Sequence, residues 1–283
     1  MVPIFILLSS LFFFFFKSNV FDAGKWKITD HHRVIKKIIE QIPQEASLSA
    51  DVKIAVHAAE RHELYAFNDH AYDADYVLYD FYARKVTLVS RTTFHLPVFW
   101  ADNDSIRRVL ANEEYGIVEY EDGICLLKKN ANYRDGLKKL AYSDGSDIKN
   151  TLSVEIAPGL ECKGFNTFEQ LRYYVELEKF GPIRWQRGIH FTCFWEETQN
   201  QATDINFVFK VENEETGDNF LIEHQPVFGV FPATNWETGR KIRDEIYSDI
   251  PGEMNTGIYK ISVSIKSESE DNKFTYLFDV NIE

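Results

Sequence analysis

In the stretch GIHFTCFWEE, Ile189, Phe191, Cys193 and Trp195 occupy every second position. Alternation of this kind puts the apolar residues on one face of a β-strand, because successive side chains point to opposite sides. DINFVFKVE repeats the pattern with Ile205, Phe207, Phe209 and Val211. It returns at Tyr259, Ile261, Val263 and Ile265, and at Phe274, Tyr276, Phe278, Val280 and Ile282. Polar turns at Glu214–Asn219 and Glu268–Asn272 separate these runs. Residues 151–283 are therefore expected to form an antiparallel β-sandwich of about seven or eight strands, with Trp195 in its core.

Upstream, the period changes. Thr29-Asp30 offers a helix cap, and Val34, Ile35, Ile38, Ile39 and Ile42 share one helical face before Pro43. Ala46–Ala50 reads as a strand, and Asp51 can cap a second helix running to Arg61. Leu64–Phe67, Tyr76–Tyr79 and Lys85–Ser90 read as further strands, and Asp104–Ala111 as a helix. Glu121-Asp122-Gly123 joins Tyr115–Tyr120 to Ile124–Lys128 as a hairpin. Helices alternating with short strands imply a small Rossmann-like α/β domain, its sheet largely parallel with an antiparallel hairpin at the edge. Residues 132–150 are polar and read as a connector.

The chain begins with an apolar run, Val2 to Phe16, that ends in five consecutive phenylalanines before Lys17. As helix it spans about 22 Å, less than the ~30 Å hydrocarbon core. Continuing through Lys17 to Phe21 lengthens it, with the lysine reaching the headgroups and Trp26 at interfacial depth. A membrane helix over about residues 3–22 is expected. A cleavable signal peptide is the alternative, but no Lys or Arg precedes residue 17 and Phe21-Asp22-Ala23 is a poor cleavage site. The run also fits the last helix of a longer polytopic protein. The expected organisation is α+β multidomain: a membrane helix or its remnant over 1–24, the α/β domain over 25–131, the connector, and the sandwich over 151–283.

Charge bounds the partners. The net charge is −13, and residues 151–283 hold 23 acidic against 12 basic side chains. That balance argues against nucleic acid, whose phosphates demand clustered Lys and Arg. The three cysteines, Cys125, Cys162 and Cys193, form no Cys-x-x-Cys pair, so zinc-ribbon and thioredoxin-type sites are excluded. A Cys162–Cys193 disulfide is open outside the cytosol.

Two groups of residues are candidates for binding. In the α/β region, Ser49 and Asp80 sit at strand ends, where open sheets place their ligands. His57 and Arg61 are four apart and would share the adjoining helix face. Together they would suit a sugar or phosphate headgroup. The plainer alternative is that Ser49 and Asp51 cap a helix, Arg61 pairs with a carboxylate and His57 packs. In the sandwich, Trp185 and Trp236 fall in expected loops near Arg240 and Asp244. Such a set would stack on a sugar ring and bond its hydroxyls, although a Trp at the end of a sandwich also serves as a plug. Other constellations fail. Arg107 stands where a calcium loop requires Gly. His190 and Cys193, three apart on a strand, face opposite sides. No metal site, Gly-rich phosphate loop or cofactor site is expected, and Asp69, His70, Asp73 and Asp75 read as a solvated loop.

IPQEASLSADVKIAVHAAERHELYAF, DADYVLYD and YGIVEYEDGICLLKK occur in that order. They resemble the extracytoplasmic C-terminal part of the polytopic membrane proteins known as domain of unknown function 2079. The resemblance rests on Ile42, Pro43, Ala46, Ser47, Ser49, Ala50, His57, Arg61, Tyr65, Ala74, Asp75, Tyr76, Val77, Gly123, Leu126, Leu127 and Lys128. It covers about a third of the chain. The membrane part of that family resembles many-helix glycosyltransferases that use lipid-linked sugars, with the catalytic acid in an early loop that this chain does not carry. In the C-terminal region, Trp236, Gly239, Asp244, Pro251, Gly257 and Tyr259 are similar to β-sandwich tails of such proteins. The resemblance implies a non-catalytic tail on the extracytoplasmic face of the cell membrane. It would recognise a cell-surface glycan, a lipid-linked sugar or a polytopic membrane subunit. A stand-alone, membrane-anchored carbohydrate-binding protein remains the other reading.

Overall fold

The computed structural model describes residues 28–67, 73–81, 103–167, 171–176, 183–199, 203–266 and 273–282. The chain divides into two compact units, Met1–Gln41 and Ile42–Glu283.

The first unit contributes helix α1 (Asp30–Glu40). Thr29 caps it as its sequence suggests: the hydroxyl accepts from the His32 amide, and the His32 ring closes a capping box on the Thr29 amide. Gln41 ends the helix, two residues before Pro43.

The second unit is built on three sheets. The first has the order β2-β1-β3-β5-β4. Its strands are β1 (Leu48–Ala50), β2 (Leu64–Ala66), β3 (Tyr76–Asp80), β4 (Tyr115–Glu121) and β5 (Ile124–Lys129). β1 runs parallel to both β2 and β3, pairing Leu48 with Leu64 and with Tyr76. β5 runs antiparallel to β3 and β4, and Asp122 and Gly123 make the tight turn with positive φ. Helices α2 (Val52–Ala55) and α3 (Asn103–Leu110) lie between these strands in sequence. Helix α4 (Tyr133–Ala141) follows β5 and crosses β4 at backbone distance. A Cβ on Gly136 would come 2.4 Å from the Ile117 amide nitrogen, so only glycine permits this crossing.

The second sheet has the order β6-β13-β10-β8-β7, with β9 paired to the start of β10. Its strands are β6 (Tyr142–Ser143), β7 (Asn150–Ala157), β8 (Leu160–Thr167), β9 (Leu171–Glu176), β10 (Ile183–Glu197) and β13 (Lys241–Ile250). The third sheet, order β12-β11-β14-β15, comprises β11 (Phe207–Glu212), β12 (Asn219–His224), β14 (Gly257–Ile265) and β15 (Thr275–Ile282). All pairings in these two sheets are antiparallel.

The alternating residues of β10 meet the third sheet: Trp195 stacks on Phe207 at 4.4 Å and Phe191 meets Phe209 edge-on at 5.3 Å. The opposite face of the middle sheet meets the first. Tyr247 of β13 donates its hydroxyl to the Phe81 carbonyl at 2.6 Å, and the Arg243 guanidinium lies 4.6 Å over the Tyr120 ring. One buried cluster consequently runs from Phe67 through Trp195 to Ile282.

This architecture corrects the expected fold class. The protein is mostly β in three sheets, and no Rossmann-like α/β domain is formed among the described residues. A doubly wound fold covers a parallel sheet with crossover helices on both faces. Here half of the pairings in the first sheet are antiparallel, and the β1–β2 crossover is a single helical turn plus the 3-10 turn Val56–Ala58. β-Branched Val52, Ile54 and Val56 within five residues weaken the long helix expected from Asp51 to Arg61. The expected N-terminal membrane helix is not part of the observed fold either. Residues 3–22 lie outside the described residues, as does the expected strand Lys85–Ser90, and among the described residues no helix is long and apolar enough to cross a membrane. The polar segment 132–150 carries α4 and β6.

Candidate functional site

An open cleft of about 1120 Å³ is bordered by the β4–β5 hairpin, α4, β6 and the start of β13. Four cations line it, Lys138, Lys139, Arg240 and Arg243. Six carboxylates interleave with them, Glu119, Glu121, Asp122, Asp144, Asp147 and Glu237. Several are already paired. Lys138 bonds Glu237 at 2.7 Å, which holds that carboxyl below its ordinary range and the ammonium above its own. Arg243 bonds Asp147 at 2.8 Å. Arg240 lies 4.2 Å over the Tyr142 ring and 3.5 Å from Glu237. The Asp144 carboxyl accepts from the Ser146 hydroxyl and amide, which lowers its pKa.

At the inner end of the cleft, the Tyr120 hydroxyl and Arg243 Nη1 are enclosed beside each other, and neither reaches a hydrogen bond of ordinary geometry. Loss of hydration, reinforced by the Glu245 carboxylate, pushes the Tyr120 phenol well above its ordinary pKa. Glu245 is itself buried: its Oε2 accepts from Thr192 at 2.9 Å and meets His190 Nε2 at 2.7 Å, and the His190 ring stacks on Tyr247 at 3.9 Å.

A second cavity, about 440 Å³, shares no lining residue with the first. It opens beside the turn Pro226–Gly229, where Val227, Phe228 and Gly229 take positive φ of 48°, 57° and 72°. For a β-branched and an aromatic residue this conformation costs on the order of 1–3 kcal/mol each. Asp244 holds the turn. Fully buried, it accepts from the Val227 amide at 2.8 Å, His224 Nε2 at 2.8 Å and Trp195 Nε1 at 3.0 Å.

The expected glycan-binding set is not assembled as a group. Arg240 lines the large cleft. Trp236 is buried, with its indole N–H donating to the Phe231 carbonyl at 3.1 Å. Asp244 is wholly engaged in the interior. Trp185 pairs with Tyr174 on the β9–β10 hairpin, and its side chain lies outside the described part. In the first sheet, Ser49 is buried with its hydroxyl unbonded and Asp80 is buried at the end of β3. His57 is exposed. Arg61 donates to the carbonyls of Pro43 at 2.6 Å and Ile42 at 2.7 Å, so its guanidinium ties down a loop, and burial lowers its pKa. The segments that follow β2 and β3 at this strand end, residues 68–72 and 82–102, lie outside the described residues. Asp69 and His70 fall there, and Asp75 clasps Ser47.

Cys125, Cys162 and Cys193 are free and buried. Burial lifts the Cys125 and Cys193 thiols well above their ordinary pKa, so neither supplies a thiolate at neutral pH. Among the described residues no group of three or more His, Cys, Asp or Glu side chains is arranged to hold a metal ion. The cleft residues of the hairpin and α4 were not read from sequence. Their only signal is charge density, and a charged hairpin tip and connector look the same when simply solvated.

No protein-family model and no curated protein matches the chain. A solved structure, the X-ray structure of Northeast Structural Genomics Consortium target SoR45, aligns at 14% identity over 45% of this chain and 89% of its own, with a TM-score of 0.23.

Proposed function

We propose that the chain is a non-catalytic recognition module on the extracytoplasmic face of the cell membrane. It binds a cell-surface glycan or lipid-linked sugar in the large cleft, in the service of a glycosyltransferase-like membrane protein of the domain of unknown function 2079 type. The single observation that carries the reading is the interleaving of both charge signs along that cleft. A sugar hydroxyl donates one hydrogen bond and accepts two, so a wall of alternating carboxylates and cations suits it. A polyanion would meet six carboxylates and a polycation four cations, so either is disfavoured by like-charge contacts. The ordered sequence blocks between Ile42 and Lys128 support the choice of parent family.

The test is glycan-array and calorimetric binding with the purified full chain. Arg240→Ala and Asp122→Asn, both on the cleft wall, are expected to weaken binding by about tenfold or more with the fold intact. Silence across the array, or undiminished binding by both variants, rejects the cleft as a glycan site. Co-purification with a polytopic membrane subunit favours the tail over the stand-alone surface protein.

A further inference from the structure

The second cavity is a built pocket that the glycan reading does not use. Three features coincide there. Its 440 Å³ falls in the range of small-molecule sites. Glu245 is one of its walls, a carboxylate only 3% exposed whose Oε1 accepts no hydrogen bond. The turn beside it carries two non-glycine residues with left-handed backbone, pinned by Asp244. A buried acceptor without a donor is expensive, and strain of this kind persists where the surroundings over-determine it, often at ligand sites.

The chemistry of the walls selects the occupant. Glu245 brings a carboxylate to the cavity wall, with Arg243 and Tyr120 acting on it from the other side, and an ammonium is a good match for a carboxylate. Phe207, Phe228 and Tyr247 supply aromatic lining, which favours a compact cation over a neutral donor. The rim carries Arg107 and Lys266. Lys266 is already paired with Glu223 at 2.6 Å. That leaves the exposed Arg107, on α3 against Gly229, as the group to meet an anionic end of the ligand. We propose that this cavity binds a small zwitterion, an α-amino acid or a close analogue, with its ammonium on Glu245 and its carboxylate on Arg107. This cavity shares no lining residue with the large cleft.

The experiment is isothermal titration of the purified full chain with the common free amino acids. Each is compared with its decarboxylated amine and its N-acetyl derivative. At least one amino acid is expected to bind one-to-one with Kd below about 1 mM, and losing either charged end is expected to weaken it at least about tenfold. Arg107→Ala, a surface change, is expected to weaken binding to a similar degree. Glu245→Gln should do the same; because Glu245 also bonds His190 and Thr192, its folding is checked by near-UV circular dichroism. No binding of any amino acid at about 10 mM overturns the proposal. So does equal affinity for amine and amino acid, or unchanged affinity in Arg107→Ala.

Discussion

Asp244 organises more of the interior than its size suggests. Its carboxylate gathers an indole N–H, an imidazole nitrogen and a backbone amide, from β10, β12 and the strained turn. A buried carboxylate is tolerable only when its lone pairs are matched by donors, and here they are. Asp244→Ala would leave the Trp195 and Val227 donors without an acceptor inside the core. It is expected to cost about 3 kcal/mol or more, measured as a fall in the urea midpoint. It should also release the left-handed turn, exposing Phe228 and unstacking it from Phe81, which now lies 5.1 Å away. Near-UV circular dichroism would report that loss. If Asp244→Ala unfolds at the same urea concentration as the parent chain, the turn is held by something else. From sequence, Asp244 looked like a hydroxyl ligand beside Trp236. Nothing local marks it as buried: it sits in KIRDEIYSDI, between the charged Arg243 and Glu245, and only the packing of two sheets against β13 turns its side inward.

At the scale of elements, Ser47 and Asp75 form a clasp between the start of β1 and the start of β3. Asp75 accepts from the Ser47 amide at 3.0 Å and hydroxyl at 2.8 Å, and the Ser47 hydroxyl also accepts from the Asp75 amide at 2.8 Å. These bonds, the backbone one foremost, hold the Asp75 carboxyl below its ordinary pKa. A depressed native pKa stabilises the fold fully above the unfolded value, near pH 3.9, and that stabilisation is lost as pH falls through the native value. Asp75→Asn should therefore be less stable than the parent near neutrality, and the gap should narrow below about pH 4. Urea midpoints from pH 7 to pH 2 check it; a gap that stays constant with pH would mean the carboxylate charge is not what matters. The strands of the sandwich region were legible because period-two alternation survives any tertiary context, as Phe191, Cys193 and Trp195 illustrate. The first sheet was harder to read. Short apolar runs such as Leu64–Ala66 carry no period, and Asp51 as a cap suggested a helix to Arg61, longer than the single turn that forms. Helix α4 escaped notice because its polar surface and Gly136 look like a linker until Ile117 is seen packed against the glycine.

For the unit from Ile42 to Glu283, the middle sheet is the decisive feature: it is buried on both faces. One face presents Phe191 and Trp195 to the third sheet, while the other presents Tyr247 and Arg243 to the first. Neither outer sheet can therefore unfold without exposing apolar residues of β10 or β13. Contiguous burial of this kind couples the sheets, so the unit should melt as one cooperative transition. Tyr247→Phe tests the coupling from its polar side. It removes the hydroxyl bond to the Phe81 carbonyl but keeps the ring stacked on His190. The carbonyl left behind sits in a buried interface, so the expected loss is about 1 kcal/mol. The transition should shift as a whole, with far-UV signal, near-UV signal and tryptophan fluorescence remaining superimposed in both proteins. If the variant instead separates into two steps, with the first sheet lost before the tryptophan environment changes, the joint between the first and middle sheets is a weak domain contact rather than a shared core.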